Sequence, residues 1–256
     1  MELVHHVFSK FTQPESITET DILCMMERFG LIAKFTSSTE ESYFVPAQLR
    51  SPSSEDLCVK ELPSSNLCPL YVDFGSPLDD RLRSGFVPHG FFPQLVSRCI
   101  RWCSEKCFKS LPKLFQCAAK IFIGTPVTHN LILVGKKRFI KVILSQIKPD
   151  TESLSAQAEE VHIPSLVRRF LEDTLNDLTQ ELPWFSNLEY ELRVACTLCP
   201  EKKCGEHEKI SCTHEDCLCL LKMVPPGEQL FCRECGGEVI VHDLDKWFSQ
   251  RTTLEV

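Results

Sequence analysis

Cysteine placement constrains this chain more than any other feature. Eight of its fifteen cysteines crowd into the run CTLCPEKKCGEHEKISCTHEDCLCLLKMVPPGEQLFCRECGG, between Cys196 and Cys235, and the other seven are scattered. The run presents ten candidate ligands: Cys196, Cys199, Cys204, His207, Cys212, His214, Cys217, Cys219, Cys232 and Cys235. A CxxC pair opens the run and a second closes it. Two thiolates from one such tight turn can reach a single tetrahedral ion at about 2.3 Å each. Gly236-Gly237, after the second pair, permits the backbone bend this requires. The N-terminal MELVHHVFSK has no basic region leading into a long apolar run, so no signal peptide is expected. Without a secretory route, thiolate ligation is a better reading than a disulfide framework. The expectation is a structural zinc-binding module in a cytoplasmic protein.

How the ligands divide between ions stays open, and two zinc ions are expected in either of two schemes. In one, Cys196, Cys199, Cys232 and Cys235 form a ribbon-like four-cysteine site. Cys204, His207, Cys212 and Cys217 then follow the offsets of a zinc knuckle, with the histidine moved to second place. In the other, Cys196, Cys199, Cys212, His214, Cys217, Cys219, Cys232 and Cys235 resemble a RING cross-brace, and Leu198 suits its apolar position. Against the cross-brace, Cys217 and Cys219 are separated by one residue rather than two, and Arg233 stands where proline is common. The first scheme is slightly favoured. Either way the metal stands in for a hydrophobic core that so short a stretch cannot build.

Charge narrows what such a module can touch. From Cys196 to Cys219 three lysines face five acids and there is no aromatic residue. A nucleic-acid knuckle needs basic charge and stacking platforms, so nucleic acid is disfavoured as a partner. The whole chain carries a net charge of -7, which points the same way. No stretch approaches the roughly 18 uninterrupted apolar residues of a membrane span.

The rest of the chain reads as α+β. Residues 1–50 hold the helical pattern ITETDILCMMERFG, with Thr18 or Thr20 to cap it and Gly30 to end it, then two short strand-like runs, LIAKF and SYFVP. That order is winged-helix-like. Residues 51–67, rich in Ser and Pro, read as a linker. In 68–183, YVDF is strand-like, and Phe91, Phe92, Leu95, Val96, Cys99, Ile100 and Cys103 recur at helical spacing. FQCAAKIFIG, HNLILVG and RFIKVILSQI read as successive strands of an antiparallel sheet. IPSLVRRFLEDTLNDLTQEL follows as a helix burying Val167, Phe170, Leu171, Leu175 and Leu178. Residues 184–256 carry the cysteine module. No P-loop, GxSxG elbow, HExxH pair or GxGxxG turn occurs, and no catalytic residue is assigned.

Three motifs, in order, carry a family resemblance: MERFGLIAKF, YFVPAQL and SGFVPHGFFPQLVSRCIRW. Over roughly residues 15–180 the chain resembles the COR region (C-terminal of Roc) of Roco proteins, especially the leucine-rich-repeat Roco-like type of animals. Tyr43 to Pro46 and Gly85 to Phe92 occupy the positions of that region's strand and turn motifs. The resemblance implies a non-catalytic scaffold with protein partners and homodimerisation through the second half. It also implies a Roc-type GTPase domain in cis, if the chain is a piece of a larger protein. The family's nucleotide-binding residues have no counterparts here, so GTP hydrolysis is not carried over. A RING-like ubiquitin ligase and a winged-helix nucleic-acid binder are the competing expectations.

Overall fold

The computed structural model describes residues 18–29, 31–37, 40–57, 67–74, 86–88, 90–106, 108, 110–125, 127–147, 163–181, 185–186, 188–199 and 218–248. They form a mixed α/β fold built on an antiparallel sheet. Among them no helix is long and apolar enough to cross a membrane.

The N-terminal pattern forms helix α1 (Glu19–Arg28), capped by Thr18. The Thr18 Oγ1 accepts from the Asp21 N–H at 3.2 Å, and the Thr18 N–H donates to the Asp21 carboxylate at 2.9 Å. This reciprocal box satisfies donors that a helix start leaves open. Strands β1 (Ala33–Ser37) and β2 (Glu40–Phe44) follow as an antiparallel hairpin. The stretch after it has local order: Ser53 caps a single turn of helix α2 (Ser54–Leu57), and Arg50 grips Asp56 with two 2.7 Å bonds.

The main sheet has seven strands: β3 (Leu70–Asp73), β4 (Lys113–Phe115), β5 (Ala118–Ile123), β6 (His129–Gly135), β7 (Phe139–Gln146), β8 (Glu191–Ala195) and β9 (Leu220–Lys222). Their order is β4-β5-β6-β7-β3-β8-β9, and every neighbouring pair is antiparallel. β5, β6 and β7 are the three strands expected from the pattern. The run FQCAAKIFIG, however, is broken at Gln116-Cys117 by a turn that folds its first residue back as part of β4.

Helices α3 (Phe91–Glu105) and α4 (Ile163–Glu181) cover one face of this sheet. Gly90 precedes α3 with φ 83°, a conformation glycine adopts without steric cost. Leu95 and Cys99 of α3, and Val167, Leu171, Leu175 and Leu178 of α4, are fully buried in one core with Leu70, Val72, Leu131 and Val142 of the sheet. Phe170 is half-buried and stacks on Trp102 at 4.5 Å, joining the two helices. The hairpin and α1 both pack on α3: Ser97 Oγ donates to the carbonyl of Lys34 in β1 at 2.8 Å, and Gln94 donates to the carbonyl of Glu27 in α1.

Period-2 alternation sends Tyr71 and Asp73 to the opposite face from Leu70 and Val72. There Tyr71 meets Phe139 edge-on at 5.1 Å, beside Leu220. Segment 184–256 thus contributes β8 and β9 to the same sheet as strands from 68–183. It also contributes the fully buried Trp247, whose indole N–H donates to the Cys68 carbonyl at 3.1 Å. Arg168 of α4 donates to the Trp247 carbonyl at 2.9 Å and lies 4.5 Å over the Phe248 ring.

Candidate metal centre

Two turns, each following a strand, bring four thiols together. Cys196 comes directly after β8, with Cys199 three residues on. Cys232 comes directly after β10 (Leu230–Phe231), and Cys235 lies in the turn before β11 (Glu238–Val239). The Sγ atoms of Cys196, Cys199, Cys232 and Cys235 all lie within 4.8 Å of one another. Cys196 and Cys235 are 3.9 Å apart and Cys199 and Cys232 are 3.5 Å apart. Four sulfurs around one tetrahedral ion with bonds of about 2.3 Å stand about 3.8 Å from each other. A disulfide needs about 2.05 Å, and none of the four is in one. The donor set therefore fits a metal ion by chemistry and by spacing. Among the described residues it is the only such group of metal-ligating side chains.

The second turn shows why its residues are needed. The Gly236 N–H donates to the Cys232 carbonyl at 2.8 Å, the Cys232 N–H to the Gly237 carbonyl at 3.0 Å, and the Cys235 N–H points at Cys232 Sγ at 3.5 Å. Gly236 takes φ 67°, the left-handed region that disfavours a side chain. Gly237 serves a different purpose: a Cβ there would meet the Cδ1 of Leu198 at 2.8 Å, so its bareness lets the two turns close on each other.

Thiol acidity follows the packing. Burial works to raise Cys232, but the N–H of Cys235 and the surrounding thiols outweigh it and bring it down to about 6. Burial raises Cys196 and Cys199 instead, with neighbouring thiols adding to the rise at Cys199. Thiols this close resist ionising together, and a divalent cation among them removes that penalty.

Of the ten sequence candidates, the structure gathers the four that the ribbon-like scheme places on one ion. Cys219 lies against them, its Sγ 3.5 Å from that of Cys232. Cys204, His207, Cys212, His214 and Cys217 lie outside the described residues. Cys99 and Cys103 belong to the core of α3, where burial pushes the Cys103 thiol up to about 12 and Cys99 well above its ordinary value.

Sequence reasoning missed the charged group that supports the centre. Asp73, buried at the end of β3, lies 3.5 Å from the Arg138 Nε and 3.3 Å from the Arg193 Nε. These are ion pairs by distance whose alignment falls short of a hydrogen bond. Each guanidinium spends another N–H on the segment carrying Cys219: Arg138 donates to the Leu218 carbonyl at 3.1 Å, and Arg193 to the Leu220 carbonyl at 3.2 Å. The available signal was an acid inside the apolar run YVDF and an arginine inside ELRVA. No protein-family model matches the chain, and no curated protein matches it.

Proposed function

We propose that this chain is a non-catalytic protein-interaction scaffold of COR type, whose C-terminal part is held by a structural zinc ion on Cys196, Cys199, Cys232 and Cys235. The convergence of those four thiols where the sheet edge meets the β10–β11 hairpin carries the reading. An all-thiolate set selects a soft ion, and zinc is the redox-inert one that favours a tetrahedron. Four protein ligands leave no open position for substrate, which argues for a structural role. The ion would tie the hairpin to β8 and so to the main sheet.

The scaffold reading draws on the three COR-like motifs and on apolar side chains turned to solvent. Met25 and Phe29, four residues apart on the end of α1, are each more than half exposed, as are Phe231 and Ile240 near the metal centre. The apolar face of α3 is spent within the chain, so a homodimer would use another surface. Nucleic-acid binding through α1 is disfavoured, because Glu19, Asp21 and Glu27 face a single Arg28 there.

Metal analysis of protein purified without added metal tests the proposal, combined with light scattering. Zinc should be present, and its removal by a chelator should expose the four thiols to alkylation. A metal-free chain with the same fold and the same thiol protection would sink the zinc reading. A monomer at every concentration would remove the dimerisation part alone.

A further inference from the structure

Five thiols, rather than four, crowd the space of one tetrahedral ion. Cys219 Sγ stands 3.5 Å from Cys232 Sγ, the same separation as that of Cys199 Sγ. That is close to the edge of about 3.8 Å expected between two sulfurs on one ion. Cys219 is thus at a ligand's distance from Cys232 without belonging to the four that are all mutually close. Its placement is held from several sides. Its carbonyl accepts the Cys196 N–H at 2.8 Å, and the carbonyls on either side of it accept from Arg138 and Arg193.

We propose that Cys219 is a reserve ligand of this centre, able to take the place of Cys199 on the ion. The proposal rests on the reading that the four cysteines bind a soft divalent cation. Cys199 is the ligand to be replaced because its Sγ stands 3.5 Å from Cys232 Sγ as that of Cys219 does, whereas Cys235, also partly buried, is tied into the turn of Cys232 itself. Cys232 is fully buried and fixed by the bonds of its own turn. In the exchange, the Cys219 thiol gives up its proton and forms a bond to the ion. The bond from Cys199 breaks, and the Cys199 sulfur takes up that proton. Charge and oxidation state are unchanged, and the ion stays bound throughout.

Cobalt(II) loaded into the full chain is the probe, because its absorption reports the number of thiolates around it. Cys199→Ala should keep the same cobalt count as the unaltered chain, with four-thiolate absorption. Cys199→Ala/Cys219→Ala should bind one ion fewer. Loss of the ion from Cys199→Ala alone would overturn the proposal, as would its retention in the double variant. Cys219→Ala in the otherwise intact chain gives a reading that does not need Cys199 removed. A reserve ligand holds the ion whenever Cys199 lets go, so this variant should pass zinc to a competing chelator several-fold faster, and equal rates would count against the idea. An unaltered chain that takes up no cobalt would instead overturn the metal reading itself, and this proposal with it.

Discussion

The backbone N–H of Cys196 donates to the carbonyl of Cys219 across 2.8 Å. That bond continues the β8–β9 ladder, in which Ala195 pairs with Leu220, into the metal centre. The first CxxC turn and the fifth thiol are therefore held in register by the same sheet that carries the core. What stabilises this sheet edge should stabilise the centre.

Asp73 is the clearest lever on that edge. Its carboxylate is buried between two arginines that are themselves about 15% exposed. Asp73→Ala removes the acid shared by both guanidinium groups while Arg193 keeps Glu191 at 2.8 Å, so the cost should fall below the roughly 3 kcal/mol of a fully uncompensated buried charge. The urea midpoint should fall accordingly, and hydrogen exchange at Leu220–Lys222 should quicken more than at β6. Uniform quickening across the sheet would argue against the clamp.

The two glycines after Cys235 should separate by mechanism. Gly236→Ala forces a side chain into the left-handed region, at about 1 kcal/mol. Chelator competition should show roughly fivefold weaker metal binding for it. At Gly237 the obstacle is the flexible tip of Leu198, which can turn aside, so Gly237→Ala should cost less.

Trp247 ties the end of the described chain to its core. Trp247→Ala removes a fully buried indole and its bond to Cys68, and should lower stability by about 4 kcal/mol in denaturant unfolding. The Cys68 thiol, pushed up to about 11 mainly by burial, should then become open to alkylation.

His129 should shape the acid limb of the stability curve. Burial on β6 depresses its pKa to about 4, whereas an unfolded histidine titrates near about 6.5. Between those values the unfolded chain binds the proton and the native chain does not. Stability should therefore fall as pH drops through that window, by about 3 kcal/mol in all, and this contribution should level off below about 4. Comparing unfolding midpoints of the unaltered chain and His129→Gln across that range isolates the effect. Parallel curves would show that His129 is not the group responsible.

Elements with a strong local period are legible in the amino-acid order itself. The partial alternation along β5 and β7, the continuous buried run of β6 and the three- and four-residue spacing along α3 and α4 come from burial against a neighbour, which leaves its mark on each segment separately. The two CxxC turns are legible for a similar reason, since ligand spacing within a turn is a local matter. β4, β8 and β9 are not, because three to five residues carry too little period to stand out, and β8 borders the cysteine run while β9 lies inside it.

The sequence by itself determined that the chain has helices, an antiparallel sheet and thiols spaced for metal. Only the tertiary structure decided that β3 lies between β7 and β8, and that Cys196 and Cys199 meet Cys232 and Cys235 with Cys219 beside them. The same is true of Trp247, which closes the core far from its neighbours in sequence. These are pairings between distant segments, settled by which apolar and charged faces best cover one another. Ten ligands of nearly equal chemistry cannot encode that choice in their spacing alone.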